Sequence, residues 1–365
     1  MSVSWYTDRR AQLYKRRNEY IASLAQCQSR YLDILQSIGL PPLIERYGKD
    51  STFQTNGWVS PCPRLFIKTH APIGVQDSNL VSAHLIYAQE VEGVNDHNRN
   101  TLRILKSGDI YQPGYGLFWA GIAPYMPVQV LPFPVDQDGD LAFNEQPLAG
   151  SWQHIAERIG HPGYPIRPGD VICAESVTAL LRKPGASISY PPWVEGPQDA
   201  GDEQAFIRQI TDAGVFVVLP AGNDYLWEQP DMERYRSFIP DDYGYQSSGA
   251  LIATCNGEQL MYGGKPFGCR PSHSRTVTTP MRYPCGAQGW LRGQPVGTSW
   301  CAPLVAGTLV MVARIYQITQ GTILPVPDLL RAVTSALTVQ ETSWKGGLHP
   351  VGRQWRPDRI LEWLL

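Results

Sequence analysis

The sequence predicts an α/β domain, a mostly parallel central sheet with helices on both faces, preceded by a helical N-terminal segment. Three observations carry this. Residues 171–174 and 215–219 are apolar at every position, which marks strands covered on both sides. From about residue 60 onward such strands alternate with helical stretches, the pattern of a parallel sheet wrapped by helices. Between Trp300 and Ala313 the only polar residue is Thr308, and the first charge is Arg314. That run is shorter than the roughly 20 residues needed to cross a membrane. A helix apolar on every side is instead buried inside a large domain.

The elements follow in order. Residues 4 to about 38 read as one helix, with Leu13, Tyr20, Leu24, Cys27, Tyr31 and Leu35 as a partly apolar stripe. Gly39-Leu40-Pro41-Pro42 ends it. Its basic face (Arg9, Arg10, Lys15, Arg16, Arg17) reads as a solvated surface, with a dock for a protein partner as the sharper alternative. The chain divides into a helical segment at 1–50 and an α/β domain at 51–365. Residues 83–88 (AHLIYA) have the apolar character of a first core strand. His97 opens a helical stretch that gives way to a Gly-containing loop, then Gly121-Ile122-Ala123-Pro124 and a strand at 128–131. Arg167-Pro168-Gly169-Asp170 turns into the strand at 171–174. Residues 206–210 end a helix, Ala213-Gly214 make a turn, and the strand at 215–219 runs into Pro220-Ala221-Gly222-Asn223.

Composition bounds the function. At 365 residues, 43% hydrophobic and 18% charged, the chain can bury a large core. A net charge of −2 makes no electrostatic case for nucleic acid or a membrane surface. Residues 1–20 hold no apolar run of the kind a secretory signal needs. The seven cysteines are irregularly spaced without a Cys-x-x-Cys pair, so no zinc site is expected. A reduced, cytoplasmic protein is the simplest expectation; if it is exported, a pair among Cys255, Cys269 and Cys285 is the alternative. No cofactor or metal motif is present.

Ser299 stands at the start of the buried helix, where unpaired backbone N–H groups and the helix dipole favour a developing anion. Ser and Thr also cap helices. Cys301, two positions on, is rotated by about 200° from Ser299 and reads as a small core residue.

Gly297-Thr298-Ser299, followed by Cys301-Ala302-Pro303 and Val305-Ala306-Gly307, resembles the nucleophile motif of the subtilisin-like serine peptidases. Val217-Val218 with Ala221-Gly222-Asn223 resembles that family's oxyanion segment. The resemblance implies a subtilisin-like fold, including a strand at 248–254 and a helix at 327–337, with Ser299 as nucleophile and Asn223 joining the Ser299 backbone N–H at the oxyanion. It implies His97 as general base, although Asn98 and Arg99 replace the Gly-Thr that usually follows. No Asp stands where the family places its acid. Gln89 falls at that position, Glu90 is the candidate acid and Glu92 the fallback. A peptide or peptide-like acyl substrate is implied, and hydrolysis, transpeptidation and cyclisation would use the same four residues. The alternative is a catalytically degenerate subtilase fold acting as a binding or scaffolding module. The altered His segment, the missing Asp and the bulky Trp300 favour it.

Overall fold

Seven parallel strands form the middle of a nine-stranded sheet, in the order β13-β14-β12-β9-β7-β4-β1-β3-β2. The computed structural model describes residues 39, 63–68, 81–82, 128–131, 147–174, 179–181, 194–195, 197–221, 235–237, 247–255, 261–262, 265–266, 275–279, 298, 301–344 and 347–365. The strands of the sheet are β1 (Leu65–Lys68), β2 (Val81–Ser82), β3 (Val128–Leu131), β4 (Val171–Ala174), β7 (Phe216–Pro220), β9 (Leu251–Cys255), β12 (Thr276–Thr279), β13 (Val339–Trp344) and β14 (Gly347–Gln354). β2 and β13 pair antiparallel at the two edges. Small satellite sheets are made by β5 (Ala179–Leu181), β6 (Val194–Glu195) and β8 (Tyr235–Ser237), and by β10 (Met261–Tyr262) with β11 (Lys265–Pro266). The helices are α1 (Pro147–Ala156), α2 (Pro197–Asp212), α3 (Cys301–Gln320), α4 (Val326–Ala336) and α5 (Pro357–Leu364).

Strand residues alternate between two cores, as the pleat requires. Leu65, Ile67, Cys173, Val218, Ala253, Cys255 and Val277 pack on the side of α3, α4 and α5. Phe66, Ile172, Ala174, Val217 and Leu219 pack on the side of α1 and α2, against Trp152, Ile155, Ile207 and Ile210. The expected strands at 128–131, 171–174 and 215–219 and the helix at 327–337 are all present, the third shifted by one residue to Phe216–Pro220. The strand expected at 248–254 begins at Leu251, after residues 248–250 in irregular backbone. By length and hydropathy α3 could cross a bilayer; every residue from Cys301 to Val310 is instead buried in the domain. Within it the Thr308 hydroxyl donates to Leu304 O at 2.9 Å and accepts the Trp355 indole N–H at 2.7 Å, so its one polar side chain in this stretch is satisfied.

The N-terminal edge of the sheet is held by a half-buried ion pair between Arg64 and the buried Asp170. Asp170 Oδ1 accepts the Arg64 backbone N–H at 2.8 Å, and its Oδ2 accepts Arg64 Nη2 at 2.6 Å and the Arg167 backbone N–H at 2.9 Å. This joins the start of β1 to the turn before β4. Burial raises the Asp170 pKa more than the Arg64 guanidinium lowers it. Such a pair stabilises little over an apolar replacement, but removing one partner strands the other.

The helix expected at residues 4–38 lies outside the described residues, as does the 50/51 boundary. Gly39 is buried at φ 70°, and a Cβ there would collide with the Asp358 carboxylate and come within 2.7 Å of Arg356 Nε. The residue that ends the predicted helix is therefore packed on the start of α5.

Asp170→Ala is expected to lose about 2–3 kcal/mol in urea denaturation, because it leaves two backbone N–H groups unpaired and leaves the Arg64 guanidinium, still bonded to Pro165 O, without its carboxylate. Gly39→Ala combines a left-handed backbone with the Asp358 collision and is expected to lose about 1–3 kcal/mol in the same measurement.

Candidate functional site

Parallel strands finish at a common edge, and ligands bind there, beside the point where strand order reverses. In this sheet the reversal is at β1, which stands between β3 and β4. The described ends at that edge are Lys68, Leu131, Ala174, Pro220, Cys255, Thr279 and Gln354.

The orientation of α3 follows from one close approach. A Cβ on Gly169, two residues before β4, would lie 3.0 Å from Ile323 Cγ2, three residues after α3 ends. The tail of α3 is thus at the N-terminal edge of the sheet and its head is at the C-terminal edge. Thr298 and Cys301, which bracket Ser299 in the chain, are both 0% exposed. Ala221, two residues before Asn223, is also fully buried and donates its backbone N–H to Ala253 O at 2.9 Å. The frames expected to carry Ser299 and Asn223 therefore belong to one edge of one sheet. Ser299, Asn223, His97 and Glu90 themselves lie outside the described residues. Cys301 is a buried core residue on α3, as expected.

One expectation is corrected. The central strand between β3 and β4 is Leu65–Lys68, not residues 83–88. The two residues just before that stretch, Val81–Ser82, form an edge strand antiparallel to β3. Glu90 therefore does not close the central strand, and its role rests on the resemblance alone. The sequence hid β1 because its apolar run is only Leu65-Phe66-Ile67 before Lys68 breaks it, and short runs carry a weak periodic signal.

Lys68 is 5% exposed, with its Nζ 4.7 Å from the centre of the Trp152 ring. The Trp152 indole donates to Glu203 Oε1 at 2.9 Å. This chain of contacts ties β1 to α1 and α2, and the face of an aromatic ring is a favourable place for an ammonium. Lys68 shares its face of β1 with Phe66, whereas Leu65 and Ile67 face α3. The ammonium is therefore on the face of the sheet opposite α3.

Seven parallel strands, helices on both faces and a buried helix headed at the strand ends make up the architecture that the Gly-Thr-Ser and Ala-Gly-Asn segments led us to expect. The fold is subtilisin-like. No family model matches the chain, and no curated protein matches it. Solved structures with this subtilisin-like layout include the prenylagaramide maturation protease PagA, at 15% identity and TM-score 0.48, covering 83% of this chain and 94% of that one. They also include a lanthipeptide protease, at 14% identity and TM-score 0.49, covering 83% and 88%. A third is the epidermin leader peptide processing serine protease EpiP from Staphylococcus aureus, at 12% identity and TM-score 0.49, covering 92% and 81%. At these values no residue role is transferred from them.

A concavity of about 340 Å3 lies between the end of α4 and the start of α5, lined by Leu337, Gln354, Arg356 and Arg359 among others. Both arginines are already paired, with Asp358 and Glu362.

Thr308→Val is expected to cost about 1–3 kcal/mol in chemical denaturation, by leaving the buried Trp355 N–H without an acceptor. Thr308→Ser, which keeps the oxygen, should recover most of it.

Proposed function

We propose that the chain is a serine hydrolase or acyl transferase acting on a peptide or peptide-like substrate. The observation that carries this reading is the orientation of α3. Its buried head, bracketing Ser299, lies at the edge where the strand leading to Asn223 also ends. In this reading Ser299 Oγ attacks the substrate carbonyl and gives its proton to His97. The Ser299 backbone N–H and the Asn223 side chain stabilise the oxyanion. Collapse passes the proton from His97 to the leaving amine and leaves an acyl-serine, which water or a second amine then attacks. Glu90 orients the imidazole. A free amine as acceptor gives transpeptidation or cyclisation from the same intermediate.

A second reading has its own observation. The central strand ends in the Lys68 ammonium, held on the face away from α3. A subtilisin-like scaffold retained for binding, with its acid lost, is consistent with that.

A fluorophosphonate probe separates the two. Wild-type protein is expected to be labelled, with labelling abolished in Ser299→Ala and His97→Ala. Asn223→Ala should slow it by about 100- to 1,000-fold. Glu90→Gln should slow it as well, and an unchanged rate would remove Glu90 from the site. His70 follows Lys68 by two residues, so His70→Ala is the control for the base. Folded wild-type protein that takes up no label overturns the enzyme reading.

A further inference from the structure

Strand β12 carries two buried hydroxyls, Thr278 Oγ1 and Thr279 Oγ1, that are among the few buried side-chain polar atoms of the described residues without a hydrogen-bond partner. Thr278 is 2% exposed and Thr279 is 1% exposed. Leaving a hydroxyl buried and unpaired costs about 1–3 kcal/mol, and each such group calls for a reason. The two point to opposite faces. Thr279 is the last residue of β12 and stands in register with Cys255, as Val277 does with Ala253. Parallel register partners share a face, and Cys255, Ala253 and Val277 all pack in the core of α3. Thr279 is thus at the C-terminal edge, on the side of α3, where that helix presents its head. Thr278 faces the other layer, where a Cβ on Gly352 would touch its methyl at 2.9 Å.

From this we infer that Thr279 is a substrate-binding residue of the candidate site. Its hydroxyl, unpaired in the resting protein, donates to the oxygen of the attacked carbonyl group once an acyl substrate is bound at the head of α3. This rests on the reading of Ser299 as a nucleophile. It extends that reading by adding a third donor, from a strand that carries none of the four residues found by motif. The donor is matched to the positive end of the helix, and hydrogen bonds to developing charge are the stronger ones. A local rule of polar satisfaction is broken where a site needs an unspent donor.

The test compares fluorophosphonate labelling rate and thermal midpoint in the full chain. Thr279→Val keeps the shape and deletes the hydroxyl. It is expected to leave the midpoint unchanged or raise it, and to slow labelling by about 10- to 100-fold. Thr279→Ser should restore the rate, and Thr278→Val should leave it unchanged. Three outcomes overturn the inference: labelling of Thr279→Val at the wild-type rate, a midpoint lowered by several degrees (which would show the hydroxyl paired at rest), or equal slowing by Thr278→Val. If the wild type is unreactive, the nucleophile reading falls together with this one. If the wild type is reactive and Thr279→Val is unaffected, only the role of Thr279 falls.

Discussion

The burial of α3 is the constraint on which the rest of the architecture depends. A helix without a charged side chain from Cys301 to Ala313 cannot face water along any side, and its side chains are worth roughly 1.5–3 kcal/mol each when a Val, Leu or Ile is fully buried. Enclosing it takes a sheet above and further helices beside it. The sheet supplies Leu65, Ile67, Cys173, Val218, Ala253 and Val277, while α4 and α5 supply Leu329, Val333, Ile360 and Leu361. Thr308 fits this enclosure because Trp355, just past β14, accepts the role of its partner. Once the helix is fixed in that slot, its head is fixed at the strand ends, with Thr298 and Cys301 fully buried there.

The two edges of the sheet then have different chemistry. At the N-terminal edge, Asp170 gathers two backbone N–H groups and a guanidinium, so its polar groups are spent on structure. At the C-terminal edge the buried polar groups are less settled. Lys68 puts a charge under the end of the central strand, and Thr279 keeps an unused hydroxyl. Asp170 thus marks the edge that holds the fold, and Lys68 and Thr279 mark the edge where the site is expected.

Much of this was legible in the sequence, and the exceptions have physical causes. Strands β4 and β7 were readable because both faces are covered and every position is apolar. α3 was readable for the same reason on a longer period. β1 was missed because a lysine completes it, tolerated there by the ring of Trp152, which lies far away in sequence. β13 and β14 (VQETSW and GLHPVGRQ) carry no apolar run, since their pairing with each other and with β12 does what burial does elsewhere. Thr279 could not have been singled out from sequence. A threonine in a strand is ordinary, and only the register with Cys255 and the lack of a partner set it apart.

The position of Lys68 also narrows how a divergent site could work. A serine paired with a lysine is a known way to do without histidine, and a buried ammonium at the strand end invites that reading. Strand parity argues against it here. Lys68 and Phe66 share the face of α1 and α2, whereas α3 is packed on Leu65 and Ile67. The ammonium is also engaged with Trp152, whose N–H is bonded to Glu203. In the proposed mechanism the base for Ser299 is accordingly sought in a chain segment beyond the strand ends rather than in β1, and histidine is the group suited to proton transfer near neutral pH.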